Sequence, residues 1–239
     1  MTRLELMAPA EIAAARERAP VAFVPVSPLE WHGPHLPLGT DGLHAHHVAL
    51  RVSQRVGGVV LPPLFVGTDG QRDGAMLERL GLPRDADVFG MDFPGFPTKS
   101  LYYDEQVVET VVGETVRALR RDGWRLVVLV TGHGAPEHAR ALARVDGARL
   151  VSCAEGSGHA ERWETSVVLA LDPSLVHLDR LPEGTLRYAE HGIVDEAAFA
   201  GDRTGGTLES DPRAASREEG EHALTAEVER IAAEVRQWL

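Results

Sequence analysis

The chain has 239 residues, 44% of them hydrophobic, a formal net charge of −12 and one cysteine. That is enough apolar material for one large α/β domain, and a single domain over residues 1–239 is expected. The acidic balance excludes the basic stripe of a nucleic-acid surface and a basic helix for anionic lipid, and the lone Cys153 excludes an internal disulfide.

The first twenty residues, MTRLELMAPAEIAAARERAP, carry charges throughout and lack the apolar stretch of a secretory leader. No segment approaches the ~20 apolar residues of a membrane span. The expectation is a soluble, cytoplasmic protein. A short helix is expected over 9–19. VAFVPVS at 21–27 reads as a buried strand, being apolar and rich in β-branched residues. A helix over 42–55 follows, then a second short strand at 58–61, closed by Pro62 and Pro63. Residues 66–100 are rich in Gly, Pro and Asp and give no strong helical pattern; long irregular stretches are often functional.

Val107, Val108, Val111, Val112, Val116 and Leu119 fall at helical spacing within 102–122. RLVVLV at 125–130 is the clearest buried strand. PEHARALARV is a helix and ARLVSC another strand, where Cys153 serves as a small buried hydrophobe. TSVVLALDPSLV begins with Thr165 and Ser166, residues suited to a helix start. Residues 217–239 form the last helix. Strands alternating with helices predict an α/β protein with a mostly parallel sheet.

Ligand sites in open parallel sheets lie beyond the carboxyl ends of the strands. Three loops fall there: the EWH segment, GHG at 132–134, and AEGSGHAERWE. They bring Glu30, His32, Asp41, His133, His159 and Glu164 to one edge. Glu30 and His32 are two apart at a strand exit, so both side chains face the same way. Pro34, Pro37 and Gly39 can turn the chain back so that Asp41 approaches them. Carboxylate and imidazole donors without thiolate suit Zn, Mn or Fe(II). His44, His46 and His47, near a helix start, read as solvated or capping groups. His35 suits a supporting hydrogen bond better than ligation.

Four stretches resemble the creatininase family. VPVSPLEWHGPHLPLGTD is similar to its opening G-S-x-E-Q-H-G-P-H-L-P-L-x-T-D. RLVVLVTGHG looks like its strand followed by N-G-H-G, and SGHAERWETSVVLALDPSLVHLD like its H-A-G-x-x-E-T-S segment. GTLESDPRAASREEGEHAL resembles G-V-x-G-D-P-x-x-A-T-x-E-x-G. The resemblance implies a three-layer α/β/α sandwich with a mostly parallel central sheet, two divalent metal ions per subunit, and a homo-oligomer, often a hexamer. It implies hydrolysis of an amide-type C–N bond, since known members open creatinine, deformylate a formamidopyrimidine or trim a ribosomal peptide precursor.

Carried over by position, Glu30 and His133 hold one metal with Asp41, and His32 holds the other with Asp41 bridging. Creatinine-cleaving members supply a glutamate two residues after the His133 position, where this chain has Ala135. Glu164, of E-T-S, is the expected replacement, with Glu137 as fallback. Glu164 and His159 form the catalytic set. Two cations sharing a water lower its pKa and hold the resulting hydroxide for attack on a carbonyl. His159, at the position of the family's catalytic histidine, passes the proton to the leaving nitrogen.

MDFPGFPTKSLYY at 91–103 resembles a segment near the family's site. There Lys99 is a candidate for a substrate carboxylate, and Trp163 is either a cover for the substrate or a core residue. The lead expectation is a small nitrogenous substrate other than creatinine. Cleavage of a peptide precursor and a non-catalytic metal-binding scaffold are the alternatives.

Overall fold

The computed structural model describes residues 2–153, 158–194 and 210–239. Four parallel strands, β1 (Val21–Pro25), β2 (Val59–Val60), β3 (Leu126–Thr131) and β4 (Arg149–Ser152), form a sheet in the order β2-β1-β3-β4. Val21 to Pro25 pair in register with Leu126 to Val130, so β1 and β3 are the paired central strands. The crossovers between successive strands contain α2 (Thr40–Val56), then α3 (Gly74–Arg79) and α4 (Glu105–Arg121), then α5 (Pro136–Ala143). After β4 come α6 (Arg162–Leu171), the single turn α7 (Tyr188–His191) and the terminal helix α8 (Arg217–Trp238); α1 (Pro9–Arg18) precedes the sheet.

Strand residues alternate between two faces, and both faces are covered, so the strands read as continuous apolar runs. Val21, Phe23, Val128 and Val130 pack with Val48 and Val52 of α2, Val167 of α6, and Leu224, Val228 and Ile231 of α8. Ala22, Val24, Val127 and Leu129 pack on the opposite side with Ala15 of α1, Val108, Val112 and Val116 of α4, and Leu142 of α5. The result is the three-layer α/β/α arrangement expected from the sequence. At Gly220 a Cβ would overlap the Ser166 carbonyl oxygen. Helices α6 and α8 therefore meet backbone to backbone only because that position is glycine.

Three local expectations need correction. The helix expected at Thr165 and Ser166 begins earlier, at Arg162. The Glu161 carboxylate caps it by accepting from Trp163 N at 2.7 Å and Glu164 N at 3.0 Å, which satisfies N–H groups that the first turn leaves open. The segment 66–100 does hold a short helix, α3, nucleated by Asp73, whose side chain accepts from Ala75 N and Met76 N. Leu77 anchors α3 in a satellite apolar cluster with Trp31, Val88, Met91, Phe93 and Tyr188. Helix α2 starts at Thr40, which puts Asp41 in its first turn. Residues 154–157 of the third loop and 206–209 of the last motif lie outside the described residues. No described helix is long and apolar enough to cross a membrane.

Candidate metal centre

The segments beyond β1, β3 and β4 bring their polar side chains to one buried point. Glu30, His32, Asp41, His133, His159 and Glu164 are each no more than 8% exposed. Glu30 and His32 leave the end of β1, and the Glu30 N–H donates to the Leu38 carbonyl oxygen, which folds the Pro-rich loop back toward α2. His133 follows β3 by two residues. A Cβ at Gly132 would collide with the Asp41 carbonyl oxygen, so only glycine lets β3's exit pass this close to α2.

Three imidazoles share one pattern. Nδ1–H of His32 donates to the Glu30 carbonyl oxygen at 3.0 Å, and its Nε2 faces Asp41 Oδ1 at 3.0 Å and Glu164 Oε1 at 3.6 Å. Nε2–H of His133 donates to the Thr68 carbonyl oxygen at 3.1 Å, and its Nδ1 faces Asp41 Oδ2 and Glu30 Oε2, each at 3.1 Å. Nε2–H of His159 donates to the Trp31 carbonyl oxygen at 2.7 Å, and its Nδ1 faces Glu30 Oε2 at 3.8 Å. In each case a backbone carbonyl fixes the tautomer and turns the other ring nitrogen toward carboxylates. Two lone pairs at such distances repel unless a proton or a metal ion lies between them.

The electrostatics agree. Burial opposes charge on His32, yet Asp41 and Glu164 hold its imidazolium well above the usual histidine range. Burial likewise opposes charge on His133, and Glu30 and Asp41 overcome it. Burial pushes Glu30 up, but the charges of His133 and His159 bring it down to about 2. Burial pushes Asp41 up as well, yet His32 and His133 lower it far below the carboxylate range. His159 goes the other way: burial and the nearby His32 charge lower its pKa. Its ring lies 4.3 Å from that of His32.

The remaining expected residues sort cleanly. Glu164 joins the cluster, where Oε2 also accepts from Ala160 N at 2.5 Å. Glu137 does not: it contacts Arg140 at 3.4 Å and lies against Gly70, outside the converging groups. His35 Nε2 shares a hydrogen bond with Thr165 Oγ1 at 2.9 Å, a supporting contact. The three histidines of α2 neither cap it nor stand in solvent as a group. His44 is buried and pairs with Glu227 of α8 at 2.7 Å, while the Nε2 atoms of His46 and His47 are buried without a partner among the described residues. Trp163 packs against the core with its ring edge-on to that of His44. Lys99 is exposed and donates to its own loop at the Asp92 carbonyl oxygen. Cys153 is buried with Sγ on the Thr131 carbonyl oxygen.

Two side chains at the cluster escape a reading of the sequence. Tyr102 donates to Glu30 Oε1 at 2.5 Å and accepts from Met91 N at 3.1 Å. Asp69 places a carboxylate oxygen within 4.8 Å of donor atoms of Glu30 and His133. Both lie in the irregular 66–103 stretch; the available signal is an acidic residue beside glycine in GTDG.

A parallel sheet with both faces covered carries, beyond the ends of its strands, a buried carboxylate–imidazole cluster able to hold metal ions, the architecture of an α/β protein with a candidate metal centre. The family model described as Creatininase, creatinine amidohydrolase, matches residues 5–235, and the chain belongs to the creatininase family of amidohydrolases. The mycofactocin precursor peptide peptidase of Mycolicibacterium smegmatis is 31% identical over 243 residues, covering 92% of this chain and 85% of that protein. Creatinine amidohydrolase of Pseudomonas putida is 31% identical over 252 residues, covering 91% and 89%. A crystal structure of creatinine amidohydrolase superposes with a TM-score of 0.69 at 26% identity, over 99% of this chain and 97% of that one. Other solved creatininases are described as an Mn form and a Zn-Zn type.

Proposed function

We propose that the cluster holds two divalent cations and that the protein hydrolyses an amide-type C–N bond of a small nitrogenous compound. The observation that carries this reading is the shared orientation of His32 and His133. Ligating histidines commonly donate their second ring N–H to a carbonyl or carboxylate, which fixes the tautomer. The donor set also fits in charge. With neutral imidazoles, Glu30, Asp41 and Glu164 leave three negative charges in a site no more than 8% exposed. Buried charges demand compensation. Asp41 turns one oxygen to His32 and the other to His133, the disposition of a bridging carboxylate. Glu30, Asp41 and His133 would hold one ion; His32, Asp41 and Glu164 would hold the other.

When bound, such cations supply an acidified water as nucleophile and polarise the substrate carbonyl. The chain's own residues do the rest. Tyr102 locks Glu30 so that Oε2 alone turns inward. His159, neutral and with Nδ1 open, accepts the proton released by the attacking water. The same Nδ1–H then protonates the leaving nitrogen, which cannot depart as an amide anion. The Trp31 carbonyl oxygen on Nε2 keeps the imidazole in the tautomer this requires and stabilises its cation.

Ala135 precedes α5 with no donor atom, and Glu164 occupies the cluster instead. That exchange supports a substrate other than creatinine. Cleavage of a peptide precursor is the second reading, supported by the peptidase relative at 31% identity over 92% of the chain. Elemental analysis of the pure protein, followed by hydrolysis assays on cyclic amides, formamides and short peptides, tests both. Two ions per chain and turnover of a non-peptide amide are expected. One ion or none in fully loaded protein rejects the two-cation site, and turnover of peptides alone selects the second reading.

A further inference from the structure

Asp69 belongs to none of the motifs that carried the family resemblance, yet the fold buries it to 5% exposure against the cluster. It offers a carboxylate oxygen within 4.8 Å of ligand atoms of Glu30 and His133. Its Oδ1 accepts the Gly70 N–H at 2.6 Å, which fixes the plane of the carboxylate. Its Oδ2 faces Arg72 Nη2 at 3.3 Å. A strong charge-assisted hydrogen bond is shorter, at about 2.7–2.9 Å. Arg72 is anchored elsewhere, through Nε to the Gly90 carbonyl oxygen at 2.8 Å. Asp69 Oδ2 therefore keeps lone-pair capacity.

The loop that carries Asp69 is built onto this point. Gly67 lies so close to Pro28 that a Cβ there would run into the proline ring. Thr68 then presents its carbonyl oxygen to Nε2 of His133, fixing which ring nitrogen faces inward. Asp69, the next residue, faces that same imidazole and Glu30. Two carboxylates this close in a buried site repel. A cation between them removes the repulsion.

We infer that Asp69 is a fourth side-chain ligand at the Glu30–Asp41–His133 position, an inference that rests on the two-cation reading above. Three carboxylates and one imidazole make that position oxygen-rich, whereas His32, Asp41 and Glu164 supply one nitrogen to two carboxylates, with His159 adjacent. Harder, oxygen-rich sets suit Mn²⁺, and imidazole suits Zn²⁺.

The probe is Mn²⁺ titrated into metal-free, full-length protein, followed by the spin resonance of free Mn²⁺ and by elemental analysis. Asp69→Asn and Asp69→Ser should each leave one Mn²⁺ bound as in the wild type and weaken the other by roughly tenfold or more, the effect range of lost metal-site partners. Circular dichroism should be unchanged in at least one of the two, and Asp69→Glu should recover part of the affinity. Glu30→Gln is the control. Wild-type binding in the Asp69 variants with a weakened ion in Glu30→Gln overturns the Asp69 assignment and leaves the two-cation reading standing. Equal weakening of both ions in the Asp69 variants also overturns it. Unchanged binding in all of the variants overturns both.

Discussion

Helix α2 carries two buried imidazole–carboxylate assemblies one turn apart, and they are built to different ends. Asp41 lies between His32 and His133 with both oxygens engaged, and each imidazole has its other nitrogen tied to a backbone carbonyl. His44, three residues on, makes a single contact with one carboxylate, Glu227, at 2.7 Å. In the second assembly one proton on one imidazole satisfies both partners. In the first, three imidazoles converge on carboxylates in surplus, and protons alone would leave a crowded, strongly polar core. A buried His–acid contact is therefore a helix-to-helix tie when it is a pair, and a cation cradle when several imidazoles turn their open nitrogens to shared oxygens.

The largest effect should come from Asp41→Asn, which removes the shared carboxylate from both positions. Both ions are expected to be lost together, with activity falling to background; metal analysis and turnover on the same sample check this. Retention of two ions would mean that Asp41 is no bridge.

His159→Ala should keep both ions and slow hydrolysis by roughly 10²–10⁴-fold, the range for a lost general acid–base group. The loss should shrink for substrates whose leaving nitrogen is already acidic. A variant that loses metal makes His159 a ligand, and one with unchanged turnover leaves it a loop residue.

Glu164→Gln and Glu137→Gln sharpen the contrast between carboxylates inside and outside the cradle. The first should weaken the ion at His32, by roughly tenfold or more on the scale of metal-site partners. The second should leave both filled, because Glu137 is in none of the groups whose donor atoms converge. Calorimetric Zn²⁺ titrations distinguish them, and the reverse result transfers the role to Glu137.

The smallest effect on function belongs to the second assembly. His44→Ala should leave metal content and turnover intact and cost about 1.5–3 kcal/mol of stability, the range for a hydrogen bond to a charged group. Burial opposes the His44 charge, but Glu227 raises its pKa above 6.5 in the folded protein. A raised folded value stabilises most below the unfolded pKa and fades as pH rises through the folded one. The difference between wild type and variant should therefore be largest below pH 6.5 and shrink in alkali. Urea unfolding at several pH values measures it, and a pH-independent difference would assign the loss to packing alone.

The sequence pattern by itself determined the parallel sheet and the gathering of candidate donors at one edge, and the family resemblance added the three layers and the hydrolytic chemistry. Runs such as RLVVLV and VAFVPVS can only be strands buried on both faces, and their alternation with amphipathic helices requires a parallel sheet. Loops leaving such strands converge at one edge, which is why Glu30, His32, Asp41, His133, His159 and Glu164 could be gathered from their positions in the chain. The fate of Trp163 and Lys99 was not legible, because one turn of helix or one loop carbonyl decides where a long side chain goes. Only the tertiary structure decided which ring nitrogen of each histidine faces inward, since the carbonyls of Glu30, Thr68 and Trp31 come from loops after different strands or from different points of one loop. It alone brought Tyr102 onto Glu30 across 72 residues of chain, and Asp69 beside them. Local pattern carries no record of such contacts; they depend on how an irregular loop packs through Trp31, Leu77 and Phe93 against the rest of the molecule.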